Sequence, residues 1–334
     1  MTVTLAFIGD VMLGRLVSRE IERKQPPESF WGDTLSVLKR ADAVFANLEC
    51  AVTPCKQKWN RTRKVFHFGA APEAIEVLKA GNVRYVSLAN NHILDFQEQG
   101  LFDTLKYLEQ AGIHSAGAGR NLEEAMRPAL INIPMGPGQS LKIAALSLTD
   151  NEPPFAAGLQ KPGTWYCEVR PGAETPAPIQ ERVRKAREDG AELIVLSAHT
   201  GPNMEEEPPP HFRAFSETLA DGGVDIFHGH SAHIFQAAAV RKSRLILYDT
   251  GDFLDDYAVD PVLHSDWSFI FLVEADKAGL LCLRMLPVKL EFASVHMAAG
   301  EEFDAIRERM KKLCSRLGTP VKEIPQGLEL LIRQ

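Results

Sequence analysis

Six apolar stretches of this 334-residue chain end in a residue able to bind a cation or move a proton. In chain order they deliver Asp10 after Gly9, Glu49 after Asn47-Leu48, the run Asn90-Asn91-His92, His199, His230 with His233 close behind, and Asp252 after Gly251. Carboxylates supply the charge a divalent ion needs, and neutral imidazoles ligate it without losing a proton at pH 7. Two carboxylates with an amide favour a harder ion than an all-imidazole or thiolate set would. His92 and Asp95, three apart in NHILD, face each other if the strand turns directly into a helix. A carboxylate holding an imidazole fixes its tautomer and raises its basicity, as a general base requires. Singly, each residue has a duller reading, because an Asp after Gly commonly caps a turn and an interior His is commonly just satisfied. Their shared placement sets them apart: ligands of open α/β sheets bind outside the carboxyl ends of the strands.

The elements that must position these residues are legible as apolar runs between turn signals: TLAFIG, DAVFANL, VRYVSL, PALINI, KIAALSL, ELIVLSA, VDIFHG and RLILYDT. Helical patterns over 72–80, 97–111, 177–189 and 209–221 separate several of them, which predicts an α/β protein with mostly buried sheets. Later, 233–249, 266–275 and 279–292 read as strands joined by turns, hence an antiparallel part. A charged amphipathic helix is expected over 298–316, and GLELLIRQ as a last helical turn. The Pro- and Gly-rich stretch 150–173 is too long for a mere connection and is a candidate lid or specificity wall. GAGRN at 117–121 lacks the third glycine of a dinucleotide fingerprint and is read as a turn before a helix.

Composition narrows the function. With 45% hydrophobic and 24% charged residues the chain is of ordinary globular type, and its formal charge of −7 argues against a nucleic-acid or membrane surface. No apolar run approaches the roughly 18 residues of a membrane span, and the N-terminus lacks the basic region and cleavage site of a signal peptide. A cytoplasmic location without membrane insertion is expected. The five cysteines are odd in number and lack CxxC spacing, which suits reduced thiols. Cys50 has no assignable base and reads as a buried spectator.

FIGDVMLGR, NLE, SLANNHILD, HTG, GHSAH and YDTGDF follow one another as they do in the CapA proteins of poly-γ-glutamate capsule biosynthesis, which are similar to the metallo-dependent phosphatases. The resemblance runs from about residue 4 to 275. It implies an α/β fold with a two-sheet β-sandwich flanked by helices, four layers in the order αββα, and a metal site at the sheet edge. Residues 1–292 would form the catalytic domain and 293–334 a C-terminal helical extension packed on it. It further implies metal ligands Asp10, Glu49, Asn91, His199 and His230, with His233 a further candidate, and makes His92 the catalytic imidazole. The chain also departs from the pattern. Met12 stands where phosphoesterases have a ligand His, HTGPN puts Thr200 and Asn203 where many CapA proteins have Trp and Glu, Ser231 and Ala232 interrupt GHSAH, and Asp252 replaces an Asn.

These departures weaken a dinuclear Mn, Zn or Fe centre and favour one hard cation such as Ca, Mg or Mn, with His/Asp pairs left free. The expected activity is metal-dependent acid–base chemistry near a carboxylate of a peptide or poly-γ-glutamate-like substrate, most simply Cα epimerisation. His92 with Asp95 would be one base. His233 or His230, beside Asp10 or Asp252, would be the other, with His296 an outside candidate. The alternatives are phosphoester or amide hydrolysis by a dinuclear centre, and a non-catalytic subunit of a polymer synthesis or export complex. In KQKWNRTRK, residues 56–64, the cations Lys56, Lys58, Arg61, Arg63 and Lys64 lie close in sequence to Glu49. Arg61, Arg63 and Lys64, together with Asn203, are candidates for binding a polyanionic chain, although such a run is also what a solvated loop looks like. Homo-oligomerisation is left open.

Overall fold

A computed structural model describes residues 1–170 and 177–333. Positions 171–173 of the candidate lid and the last residue of GLELLIRQ lie outside them. Two sheets pack face to face. The larger is ten-stranded and runs Lys322–Ile324, Gly327–Leu331, Gly279–Glu291, Trp267–Asp276, Val3–Val11, Ala43–Leu48, Val83–Ser87, His114–Ala116, with Asp252–Leu254 also beside Val3–Val11 and Ser294–Met297 beside Gly279–Glu291. The smaller has six strands in the order Ala238–Arg241, Arg244–Leu247, Ile226–His230, Leu193–His199, Ser140–Thr149, Ala129–Pro134. The middle of each sheet is parallel: Val3–Val11 with Ala43–Leu48 and Val83–Ser87, and Ser140–Thr149 with Leu193–His199 and Ile226–His230.

Burial on both faces explains the near-continuous apolar runs. Because successive side chains of a strand point to opposite faces, Leu5 and Phe7 join the core between the sheets while Ala6 and Ile8 face the helices outside. Ala43 and Phe45 divide from Val44 and Ala46 in the same way. Phe7, Phe45 and Tyr85 form an aromatic row with ring centroids 4.9 and 5.3 Å apart. The Tyr85 hydroxyl crosses to the other sheet and donates to the Leu146 carbonyl at 3.3 Å. Helices Arg15–Glu22, Ala74–Ala80 and Gln97–Ala111 cover the outer face of the large sheet through Val17, Ile21, Ile75, Leu78, Leu101 and Leu108. Ala177–Glu188 and Pro210–Asp221 cover the small one through Ile179, Val183, Phe215 and Leu219. This is the α/β sandwich flanked by helices that the sequence implied.

The end of the chain differs from expectation. GLELLIRQ is not a helical turn: Gly327–Leu331 is a strand paired with Gly279–Glu291. Leu328 and Leu330 are buried on one face while Glu329 lies opposite Arg284, a period of two that a leucine-rich stretch of five residues hardly displays. The segment 293–334 is therefore more than a helical extension. The expected helix, Gly300–Arg316, is there and buries Ile306, Met310, Leu313 and Cys314, but three further strands continue the large sheet. Residues 233–249 hold two short strands, Ala238–Arg241 and Arg244–Leu247, rather than one. They turn at Lys242 and Ser243, both at positive φ (50° and 63°) as a two-residue hairpin demands.

Candidate metal and acid–base centre

The carboxyl ends of both parallel runs meet at one place. Asp10 lies beside Asn47 of the next strand and, on its other side, beside Asp252, while His199 lies beside His230 in the small sheet. Two glycines permit these approaches. A Cβ on Gly9 would sit 1.7 Å from the Gly251 carbonyl oxygen, which accepts the Asp10 amide at 2.9 Å. One on Gly229 would sit 1.9 Å from the Tyr248 oxygen. Any larger residue would wedge the strands apart and separate the side chains they carry.

Around the centre stand two imidazole–carboxylate pairs. The first follows strand Val83–Ser87: His92 Nδ1 lies 2.6 Å from Asp95 Oδ2 across a tight turn that precedes helix Gln97–Ala111. Asp95 is aimed by the Phe68 amide (2.6 Å) and by Lys64 (3.5 Å), and the Phe68 ring stacks on His92 at 3.7 Å. With Nδ1 turned to Asp95, Nε2 of His92 faces Glu49 at 4.0 Å. Burial drives the imidazole down to about 3 and Asp95 up to about 7, so His92 is neutral at pH 7. The second pair is His233 with Asp252, 2.9 Å apart, and His233 Nδ1 is also 3.9 Å from Asp10. Burial pulls this imidazole down, but Asp252, Glu49 and Asp10 together hold it well above the usual histidine range.

Beside the first pair and including the second are two overlapping sets of donors close enough to hold an ion: Asp10 with His199 and His230, and Asp10 with Glu49, His233 and Asp252. Met12 is not missed there. It is buried in the helix-side core and its sulfur accepts the Gly14 amide, while the second set reaches four donors with Asp252. The chemistry of the set fits a cation. Asp10 Oδ2, Glu49 Oε1, Asn91 Oδ1, His230 Nε2 and Asp252 Oδ2 are buried atoms with no hydrogen-bond partner, and leaving such acceptors unpaired is costly unless something positive completes them. Burial, and then the mutual repulsion of the acids, holds Asp10 well above the ordinary carboxylate range. Burial also raises Glu49 and Asp252. The imidazoles of His199 and His230 are pushed well below theirs by burial and stay neutral, as ligands must be. Their Nδ1 atoms face each other at 3.0 Å.

The candidate binding residues fare differently. Arg61 is engaged bidentately by Glu98 at 2.6 Å and lies over Trp59. Lys64 is not a free cation either: its ammonium bonds the Asn91 carbonyl at 2.7 Å and Glu152 at 3.1 Å, with the side chain only 6% exposed. It braces the His92 turn. Arg63, Lys56 and Lys58 are exposed, as is Asn203. His296 pairs with Asp33 at 3.7 Å on an edge strand and makes no contact with the cluster. Burial pushes the Cys50 thiol up to about 12, which fits a spectator. The described part of 150–173 packs near the centre: Asn151 bonds Ser231 Oγ at 3.0 Å, Glu152 holds Lys64, and buried Phe155 packs on Trp59.

Sequence reasoning missed three contributors. Tyr257 donates to Glu49 Oε2 at 2.8 Å and sets its edge against His233. Phe68 walls His92. Asp249 accepts the amides of Ala232 and Gly251 at 2.8 Å, holding the loop that carries His233 at φ 60°. Only Asp249 left a signal, the Asp-x-Gly spacing of an Asx-turn.

Residues 4–257 match the family described as "Bacterial capsule synthesis protein PGA_cap". A "probable polyglutamine synthesis accessory protein" of Mycobacterium tuberculosis is 30% identical over 89% of this chain and 80% of its own length. The capsule biosynthesis protein CapA of Bacillus anthracis is 28% identical over 76% of this chain and 60% of its own. The PGA biosynthesis protein CapA of Bacillus subtilis is 28% identical over 76% and 63%. Among solved structures, Thermus thermophilus sulfate thiohydrolase SoxB overlays with a TM-score of 0.47 at 11% identity, across 96% of this chain and 61% of that one. With the ordered motifs and a family match over most of its length, this chain belongs to the CapA family of bacterial capsule synthesis proteins.

Proposed function

We propose that the protein is a metal-dependent acid–base enzyme that epimerises Cα positions next to a carboxylate in a peptide or poly-γ-glutamate-like substrate. One observation carries the reading: two Asp-backed imidazoles, His92 and His233, flank a single buried donor cluster whose inward atoms lack partners. Asp10, His199 and His230, with Glu49 and Asn91 beside them, would hold the cation. A cation there supplies positive charge against the negative charge that builds on the substrate carbonyl as the Cα proton leaves. His92 Nε2 takes that proton, with Asp95 fixing the imidazole through Nδ1. His233, oriented by Asp252, returns a proton to the opposite face, so the reaction consumes and releases nothing. The names of the relatives, which concern capsule, PGA and polyglutamine synthesis, support a peptide-like polymer as substrate.

A specific observation favours a second reading. The set Asp10, Glu49, His233 and Asp252 shares Asp10 with the first, and a second ion there would consume His233 and convert the centre to the two-metal hydrolytic type. The experiment joins metal content by mass spectrometry to deuterium uptake at Cα of a γ-linked glutamate peptide in D2O. About one equivalent of metal with uptake that needs His92 supports epimerisation. Two equivalents with chain cleavage and no uptake overturn it in favour of hydrolysis.

A further inference from the structure

We propose that Arg15 receives a substrate carboxylate at the mouth of the centre, an assignment that rests on the acid–base reading above and names the group the enzyme recognises. Arg15 directly follows Gly14 and opens helix Arg15–Glu22 with its backbone at φ 53°, in the left-handed region that side chains rarely occupy. Asp256 holds it there. One carboxylate oxygen accepts the Leu16 amide at 2.8 Å, and the other lies 3.3 Å from Arg15 Nε, with the Asp256 side chain wholly buried. An unfavourable backbone conformation fixed by a buried acid is a common mark of a side chain that must be aimed.

The side chain lies against two aromatic rings, each of which touches one of the imidazoles. The guanidinium carbon lies 5.6 Å from the Phe68 ring centre and 5.8 Å from that of Tyr257. Phe68 stacks on His92, and Tyr257 sets its edge against His233 at 5.5 Å. Arg15 thus lies against the aromatic pair that walls the two proton-transfer groups. Asp256 engages Nε alone. Among the described residues no hydrogen bond or ion pair engages the two terminal amino groups, and the side chain is 37% exposed. That leaves free a planar fork of the kind that binds carboxylates bidentately. Its neighbours are not free: Arg61 is spent on Glu98, and Lys64 on Asn91, Glu152 and Asp95. A γ-linked glutamate carries its free carboxylate on Cα itself, so a guanidinium anchored beside the two rings that contact the imidazoles would bring that carbon close to them.

The test is binding, measured by calorimetry on the full chain, of a γ-linked glutamate pentapeptide and of its counterpart with every α-carboxylate amidated. The unaltered protein should bind the acid at least about tenfold more tightly than the amide, the size of one charge-assisted contact. Arg15→Gln should abolish that preference while leaving metal content unchanged, with some loss of melting temperature because buried Asp256 loses its cation. Arg15→Lys, which keeps the charge and loses the fork, should retain part of it. A preference that survives Arg15→Gln, or no preference in the unaltered protein, overturns the assignment even where Cα exchange is observed. A preference that depends on Arg15 in a protein without Cα exchange upholds the carboxylate contact and removes epimerisation instead.

Discussion

Two polar networks, one half-buried and one fully buried, sit at opposite ends of the small sheet's strands. At the amino ends of the small-sheet strands, Asp225 accepts the Ile194 amide at 2.6 Å and pairs with Arg187, whose remaining donors reach the carbonyls of Ala191, Glu192 and Gly223. Arg244 approaches Asp225 from the other side at 4.0 Å. Each acid there meets a base or an amide. At the carboxyl ends, Asp10, Glu49 and Asp252 crowd one another and leave acceptor atoms unpaired. His228 and His230, two residues apart on one strand, show the same contrast in miniature. His228 Nε2 lies 3.0 Å from the Ile8 carbonyl and is a satisfied core histidine, whereas His230 Nε2 has no partner. Completeness of hydrogen bonding, more than residue type, separates a group that holds the fold from one kept available for chemistry.

The sharpest way to break this contrast is to remove one member of each network. His92→Ala should lower turnover about 10³-fold, the usual worth of a positioned proton-transfer group, with metal content nearly intact. Undiminished exchange in that variant would falsify the mechanism. Asp225→Ala should instead cost about 2 kcal/mol of stability by leaving the Ile194 amide and half-buried Arg187 without their acceptor, read as a lower midpoint in urea, with metal affinity unchanged.

Charge removal should act with opposite sign in the two places. Asp10 is raised above its unfolded value, so the folded chain binds the extra proton; the imidazoles of His92, His199 and His230, lowered by burial, act in the opposite sense up to their unfolded value of about 6.5, so the metal-free protein should lose stability as pH rises above about 6.5. Asp10→Asn should flatten that loss and stabilise the chelated protein by about 1–2 kcal/mol near pH 8, while lowering metal content. Metal affinity of the unaltered protein should fall on acidification, because protons compete for the same carboxylates. Thermal melts across pH, with and without chelator, check both. A chelated protein that gains stability as pH rises above about 6.5, where the buried imidazoles no longer contribute, would remove the argument from repulsion.

The smallest effect belongs to Arg61. Its exposed pair with Glu98 should contribute less than about 0.5 kcal/mol, and Arg61→Gln should change the apparent substrate constant less than twofold. A large rise would restore the 56–64 loop as the capture site.

Much of the centre was legible because parallel strands deposit their last residues at one edge. Asp10, Glu49, Asn91, His92, His199 and His230 each close an apolar run or follow it directly, and the apolar run needs no tertiary information to be seen. Tyr257, Phe68 and Arg15 were not legible in that way. Phe68 and Tyr257 lie on connections without periodicity, Arg15 at the first position of a helix, and their roles depend on which residues far along the chain they meet, as when the Tyr257 hydroxyl reaches Glu49. The short last strand failed for a related reason: it is defined by its partner, Gly279–Glu291, rather than by its own pattern. The cationic loop misled in the other direction, since Lys64 and Arg61 are neutralised by acids from elsewhere in sequence, Glu152 and Glu98.

The pairing of Asp10 with Asp252 has a consequence for how the protein matures. These residues come from opposite ends of the chain, and they become neighbours only when the strand after Gly251 docks beside the first strand. Contacts that distant in sequence form late, after shorter loops have closed. A nascent chain emerging from the ribosome therefore carries Asp10 and Glu49 for most of its synthesis without the four-donor set. Ion capture at that set becomes a timestamp of completed folding: its rate in a refolding experiment should track the slowest phase, and a truncated or stalled chain should not acquire it.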